Sequence, residues 1–79
     1  MKVTLKLFAT LRDYLPPGAE ANTCVVDADP GTTIEELLDR FEMPPEIKLI
    51  IMLNGKHAAA THELVDGDVL AAFPPIAGG

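Results

Sequence analysis

The sequence contains no tryptophan, one cysteine and one tyrosine, and aromatic residues make up only 5% of its 79 positions. Its core must therefore be aliphatic, and nothing in it suggests a large cofactor pocket. The lone Cys24 cannot form an internal disulfide or supply the thiolates of a zinc site or an iron–sulfur cluster. His57 and His62 lack the acidic and thiol neighbours of a metal site and read as solvent-facing loop or edge residues, so no metal is expected. Basic residues are also scarce: 6 Lys and Arg against 12 Asp and Glu leave a net charge of −6. Phosphate binding needs clustered Lys and Arg, which argues against nucleic acid as a partner and makes a basic protein surface the complementary expectation. No run approaches the roughly 18 apolar residues that cross a membrane. Met1-Lys2-Val3-Thr4-Leu5-Lys6-Leu7 alternates polar and apolar positions and lacks the apolar block and cleavage site of a secretory leader. These absences predict a soluble, cytoplasmic protein, unprocessed at its N-terminus, with no membrane partner.

What is present is an apolar content of 48% in a chain near the lower size limit for one core without disulfides or metal. In residues 2–9, Val3, Leu5 and Leu7 alternate with Thr4, Lys6 and Phe8, which predicts a strand with one buried face and Phe8 on the other. Residues 10–22 read as a connection, with a short helical turn at Leu11-Arg12-Asp13-Tyr14-Leu15 before the breakers Pro16-Pro17-Gly18. Thr23-Cys24-Val25-Val26-Asp27-Ala28 is rich in β-branched residues and reads as a second strand antiparallel to the first, with Cys24 a buried or half-buried strand residue.

After Asp29-Pro30-Gly31, Thr32 and Glu35 stand at the spacing of a capping box. Ile34, Leu37, Leu38 and Phe41 then form the apolar stripe of a helix that Met43-Pro44-Pro45 ends. The pair Glu35-Glu36 fits the favourable backbone dipole of a first helical turn better than an acid/base role. The run Leu49-Ile50-Ile51-Met52-Leu53 suits a strand covered on both faces or nearly so. Asn54-Gly55 predicts a hairpin turn, with His57-Ala58-Ala59-Ala60 as a short edge strand returning from it. Residues 61–65 read as a short helical turn with Leu64 inward. Asp66-Gly67-Asp68 is a tight turn into the last strand, Val69-Leu70-Ala71-Ala72-Phe73. One helix across one face of a small mixed sheet of four to five strands is the economical packing, an α+β fold of β-grasp type. The expected division is a domain over residues 1–73 and a projecting tail over 74–79.

That tail, Pro74-Pro75-Ile76-Ala77-Gly78-Gly79, is the candidate functional element. Its two prolines fix φ and lack N–H donors, so a strand running into Pro74 leaves the sheet there. Gly78 and Gly79 carry no side chain, which lets the backbone enter a narrow channel and leaves the α-carboxylate of Gly79 as the one reactive group they offer. No nucleophile–base pair or metal cluster accompanies them, as would be expected of an enzyme.

Asp66-Gly67-Asp68 leading through an apolar strand into Phe73-Pro74-Pro75 and Gly78-Gly79 resembles the C-terminal signature of the MoaD/ThiS sulfur-carrier family. Leu7-Phe8-Ala9 with Leu11-Arg12 resembles its first strand and following turn. Phe73-Pro74-Pro75 favours the molybdopterin-synthase branch over the thiamine branch. The resemblance implies a ubiquitin-like β-grasp with first and last strands adjacent and parallel. It also implies a non-catalytic small subunit with no bound cofactor. Its Gly79 carboxylate would be adenylated by an E1-like enzyme that uses ATP, then converted to a thiocarboxylate by a persulfide sulfur donor. In that branch the tail inserts into the large catalytic subunit of molybdopterin synthase, with a heterotetramer expected, and donates sulfur in molybdenum cofactor biosynthesis. Gly79 and Gly78 would be the reacting end, and Phe8, Phe73, Pro74, Pro75, Ile76 and Ala77 the partner-binding residues.

Two placements are open for Phe73, beside Phe8 on the free sheet face or as a plug at the end of the core, because a strand apolar on both sides has no readable facing. Other functions are open too: a carrier for thiamine, for a tungsten-dependent relative or for another sulfur route, a ubiquitin-like modifier conjugated through Gly79, or a non-covalent binding module. A ferredoxin-like β-grasp is excluded, since Cys24 alone cannot hold a cluster.

Overall fold

The alternation near the N-terminus becomes β1 (Lys2–Leu7), with Val3, Leu5 and Leu7 fully buried. A 3₁₀ turn (Ala9–Tyr14) follows and buries Leu11. The chain returns as β2 (Thr23–Asp27), antiparallel to β1 with Leu5 opposite Cys24. The helix α1 (Ile34–Asp39), the strand β3 (Ile50–Leu53), the two-residue β4 (Lys56–His57) and β5 (Val69–Phe73) complete the order. This computed structural model describes residues 1–42 and 48–75. The five strands form one sheet in the order β2-β1-β5-β3-β4. β1 and β5 are adjacent and parallel, with Leu5 beside Leu70, while β3 runs antiparallel to both β5 and β4. This is the α+β, ubiquitin-like β-grasp arrangement.

One sheet face is closed by α1 and the loops. Ile34, Leu37 and Leu38 from the helix meet Val3, Leu5, Leu7, Leu11, Leu64, Leu70 and Ala72, with Cys24, Val26, Phe41, Ile51 and Leu53 packed around them. The core is aliphatic, and each fully buried Leu or Ile contributes about 1.5–3 kcal/mol relative to exposure. Cys24 is half-buried in β2, and that burial raises its thiol pKa.

The capping box lies one residue later than the sequence spacing first suggests. Thr32 is the last residue of a turn over Asp29-Pro30-Gly31-Thr32: its N–H and hydroxyl both donate to the Asp29 carbonyl, at 3.1 and 2.7 Å. Gly31 at φ +89° follows a proline in that turn, as a type II turn requires. Thr33 is therefore the N-cap. Its hydroxyl accepts from the Glu36 N–H at 3.2 Å, and the Glu36 carboxylate accepts from the Thr33 N–H at 2.9 Å. In Thr32-Thr33-Ile34-Glu35-Glu36 both Thr/Glu pairs have the right spacing, and the Pro30-Gly31 turn decides between them.

The helix also ends earlier than expected. The Arg40 and Phe41 N–H groups reach back three residues to Leu37 and Leu38, and Glu42 takes a left-handed φ of 58°. The last turn is thus tightened, and half-buried Phe41 packs on the core from it. Met43-Pro44-Pro45, the expected terminator, lies outside the described residues.

Three further expectations change. β3 is not covered on both faces: Ile50 is 38% exposed, because the sheet has one helix and its other face is open. β4 stops at His57, since the segment beyond it turns to serve α1, with the Ala60 and His62 carbonyls accepting from Glu35 and Ile34 N–H. For the same reason residues 61–65 are not helical. Thr33 pairs with Glu63 in a bridge, and the Leu64 N–H donates to Thr32 while its side chain is buried.

The shifted box has a measurable consequence. Thr33→Ala should lower unfolding free energy by about 1 kcal/mol in urea titrations, the usual cost of losing an N-cap. Thr32→Ala should cost less, because it removes only an exposed bond to a turn carbonyl. The Thr33 bonds hold the exposed Glu36 carboxyl below its ordinary pKa. Glu36 therefore contributes stability above the usual carboxylate range, lost as pH falls through its depressed folded value. The Thr33 backbone N–H is the larger cause and survives in Thr33→Ala, so that variant should shrink the acid limb of the stability profile in part, by the hydroxyl's share, and disappearance of the whole limb would mean that the hydroxyl alone holds Glu36.

Candidate functional site on the open sheet face

Side chains alternate along strands, so the registers fix which residues share the uncovered face. Across its middle run Thr23, Lys6, Ala71, Met52 and His57, each opposite the next. At the end where β5 finishes, Phe73 stands opposite Ile50. Phe8 follows β1 directly and lies against Phe73, with ring centroids 4.4 Å apart and planes 12° from parallel. Of the two placements open for Phe73, the structure adopts the free face: Leu70 and Ala72 take the core side, and Phe73 points the other way. Phe8, Phe73, Ile50, Ala71 and Met52 form an apolar strip at the root of the tail.

Phe8 and Phe73 are thus brought together, and Pro74 and Pro75 continue from Phe73 outside any strand. Ile76, Ala77, Gly78 and Gly79 lie outside the described residues. His57 is exposed on β4, and exposed His62 lies in the loop that caps α1.

Charge is arranged at the rim. Lys2 pairs with Asp27 across β1 and β2 at 2.9 Å, and the Lys2 hydrogen bond and charge hold the Asp27 carboxyl below its usual pKa. Both side chains are largely exposed, so the pair adds little stability. Its effect is to neutralise Lys2. Lys6 makes no ion pair among the described residues and is the cation nearest the middle of the strip.

The start of β5 is fixed by a buried polar cluster. Asp68 is 6% exposed, and its carboxylate accepts from the Val65 N–H and the Asn54 amide, each at 2.8 Å. The Asn54 side-chain oxygen accepts in turn from the Val69 N–H at 2.8 Å. The Asp68 carbonyl accepts from the Thr4 N–H, while the turn before it accepts from the Lys2 N–H through Asp66 at 2.7 Å. Asn54 and Gly55 occupy the expected hairpin turn, both at positive φ, 51° and 83°. One turn residue therefore holds two elements: Asn54 closes the hairpin with its backbone and anchors β5 with its side chain.

Sequence reasoning missed Ile50 and Met52 as members of the open face and Asp68 as a buried anchor. The first pair was available in principle, because a two-residue turn at Asn54-Gly55 sets Met52 opposite His57. That fixes the facing of the whole strand. The Asp68 contacts join residues far apart in the chain, and no local pattern signals them.

The ThiS family model matches residues 5–79, nearly the whole chain. The chain belongs to the ThiS family. Among solved structures it is similar to SAMP1, small archaeal modifier protein 1, from Haloferax volcanii, with 28% identity, a TM-score of 0.76 and 100% of both chains covered. It is also similar to a Pyrococcus furiosus protein assigned as molybdopterin converting factor, subunit 1, with 26% identity, a TM-score of 0.74, and 95% and 98% of the two chains covered. One chain of a Helicobacter pylori complex of subunits 1 and 2 of molybdopterin-converting factor is also similar, with a TM-score of 0.61 and 100% of that chain and of this one covered, and at 22% identity the likeness shows the fold alone. No curated protein sequence matches significantly. The resemblance to MoaD/ThiS sulfur carriers therefore holds. The chain is a member of a family of small sulfur-carrier and ubiquitin-like modifier proteins that are generally non-catalytic. Among the described residues, no helix is long and apolar enough to cross a membrane.

Replacing the anchor tests the geometry of the site. Asp68→Ala should cost about 1–3 kcal/mol, since it strands the Val65 N–H and the Asn54 amide. Amide exchange should show early loss of protection at Val69 and Thr4. Unaltered exchange there would mean that β5 is held by its strand neighbours alone.

Proposed function

We propose that this protein is a sulfur carrier whose Gly79 carboxylate is activated and converted to a thiocarboxylate, and that its sulfur goes to molybdopterin synthesis. The observation that carries this reading is that the family match runs through Gly79 and so takes in Gly78-Gly79. A carboxylate is a poor electrophile at neutral pH. Attack by one of its oxygens on the α-phosphorus of ATP expels pyrophosphate and leaves an acyl-adenylate with AMP as a good leaving group. The terminal sulfur of a persulfide then attacks the acyl carbon, AMP departs, and a thiol cleaves the acyl disulfide to release the thiocarboxylate. The carrier supplies only the carbonyl. The E1-like enzyme supplies ATP binding and adenylation, and a separate donor supplies the persulfide.

The similarity to the P. furiosus converting-factor subunit and the sequence Phe73-Pro74-Pro75 support the molybdopterin branch. The partner there is the large catalytic subunit of molybdopterin synthase, with the apolar strip around Phe8 and Phe73 docking on it and residues 74–79 reaching its active site. Fully extended, six residues span about 20 Å, enough to enter a buried channel. The similarity to SAMP1 favours a second reading, a protein modifier, in which a lysine amine displaces AMP and forms an isopeptide.

Intact mass after incubation with the E1-like enzyme, ATP and a persulfide donor tests the proposal. One terminal oxygen should be replaced by sulfur, and deletion of Gly79 should abolish the shift without altering folding. Isopeptide adducts in cells with no thiocarboxylate would instead support the modifier.

A further inference from the structure

Phe73 is the last residue of β5, and the residue after it, Pro74, has no N–H to donate to a neighbouring strand. The direction in which the tail leaves the sheet is therefore set at Phe73, by its pairing with Ile50 on one side and by whatever holds its ring. Phe8 holds that ring, at 4.4 Å and nearly parallel. Phe8 is itself fixed twice through its backbone. Its N–H donates to the Ala72 carbonyl at 3.1 Å, continuing the β1–β5 pairing past Leu7, and its carbonyl accepts from the Leu11 N–H at 3.1 Å to start the 3₁₀ turn. Leu11, 1% exposed, roots that turn in the core. A rigid path thus runs from the core through Leu11 and Phe8 to the Phe73 ring. Only six residues lie between Phe73 and the end of Gly79. Pro74 and Pro75 fix φ at two successive positions, so an angular error at Phe73 is carried outward through them, and misplacement of about 1 Å can cost a reacting group on the order of a hundredfold in rate.

We propose that Phe8 is a positioning residue for the tail: by stacking on Phe73 it fixes the direction in which Pro74 leaves the sheet, and so where the Gly79 carboxylate arrives. This rests on the carrier reading above and adds to it a role distinct from surface contact. A residue that only contacts the partner changes how tightly the carrier binds. A residue that aims the tail changes the rate once the carrier is bound.

The test is ATP–pyrophosphate exchange by the E1-like enzyme, measured against carrier concentration with labelled pyrophosphate, for the wild type, Phe8→Leu, Phe8→Tyr, Phe73→Leu and the Phe8→Leu/Phe73→Leu pair. Thermal melts of each carrier accompany it. Phe8→Leu keeps apolar bulk but loses the flat ring; it should lower kcat about tenfold with KM for the carrier changed less than about twofold. Phe8→Tyr, which preserves the stack, should restore kcat. Phe73→Leu should show a similar kcat loss from the other side of the stack, and the double variant should be no worse than either single one. If Phe8→Leu melts near room temperature, the Phe73→Leu and Phe8→Tyr data carry the comparison. A rise in KM at unchanged kcat would make Phe8 an ordinary docking contact, and additive losses would mean the rings act separately; either overturns the proposal. Failure of the wild-type carrier to support exchange would instead overturn the carrier reading, and the proposal with it.

Discussion

The pairing of β1 with β5 is the contact on which the fold depends. The strands are parallel, so no tight turn can join them, and everything between them in sequence, including β2, α1, β3 and β4, belongs to the connection. Leu5 and Leu70, neighbours across this pair, are both fully buried beneath α1. The loop-closure entropy of bringing such distant residues together is not offset by any local contact. It is offset where β5 begins, by the Asp68 carbonyl on the Thr4 N–H and by the Gly67 N–H on the Lys2 carbonyl. Burying the polar side chain of Asp68 would itself be costly without partners, and its bonds to Val65 and Asn54 are what make the position tenable.

That pairing also explains why the Phe8–Phe73 stack forms where it does. A parallel register places the C-terminal ends of β1 and β5 at the same edge of the molecule. The residue after β1 and the last residue of β5 then face the same way, and both are phenylalanine. A one-residue slip would send Phe73 into the core and Ala72 outward. The Asn54–Asp68–Val69 bonds, at the opposite end of β5, exclude that slip. The polar cluster and the aromatic pair therefore bear on the same variable, the register of the strand that carries the tail.

Much of this was legible in the sequence where patterns are local. The alternation through Val3, Leu5 and Leu7, the Asn54-Gly55 hairpin and the Ile34, Leu37, Leu38 stripe each announce an element and its buried side. Where the pattern was degenerate, local reading failed. Thr32/Glu35 and Thr33/Glu36 have identical spacing, and only the type II turn at Pro30-Gly31 separates them. The run from Leu49 to Leu53 is apolar throughout, so its alternation is hidden, and Phe73 sits in a strand with the same ambiguity. The strand expected over 57–60 and the helical turn expected over 61–65 fail for another reason: the shape of this segment answers to the unpaired N–H groups of α1, which are distant in sequence. The parallel β1–β5 pairing came only through the family resemblance, since spacing does not determine strand order.

An open face with two stacked phenylalanines and an exposed Ile50 raises the question of why it does not simply seal against a second copy. Two features oppose that. Lys6, Thr23 and His57 interrupt the apolar surface across the middle of the face, although Val25 and Val69 flank Thr4 beyond them, and the chain as a whole carries a charge of −6 that repels its own kind. The sheet edges are guarded as well, since β4 is two residues long and bears Lys56, while β2 ends at the Lys2–Asp27 pair. The same charge that disfavours self-association favours a basic partner, so a surface that is poor at binding itself can be good at binding something else. Lys6, the cation beside the strip, sharpens this: a partner that seats on the face must accommodate that positive charge.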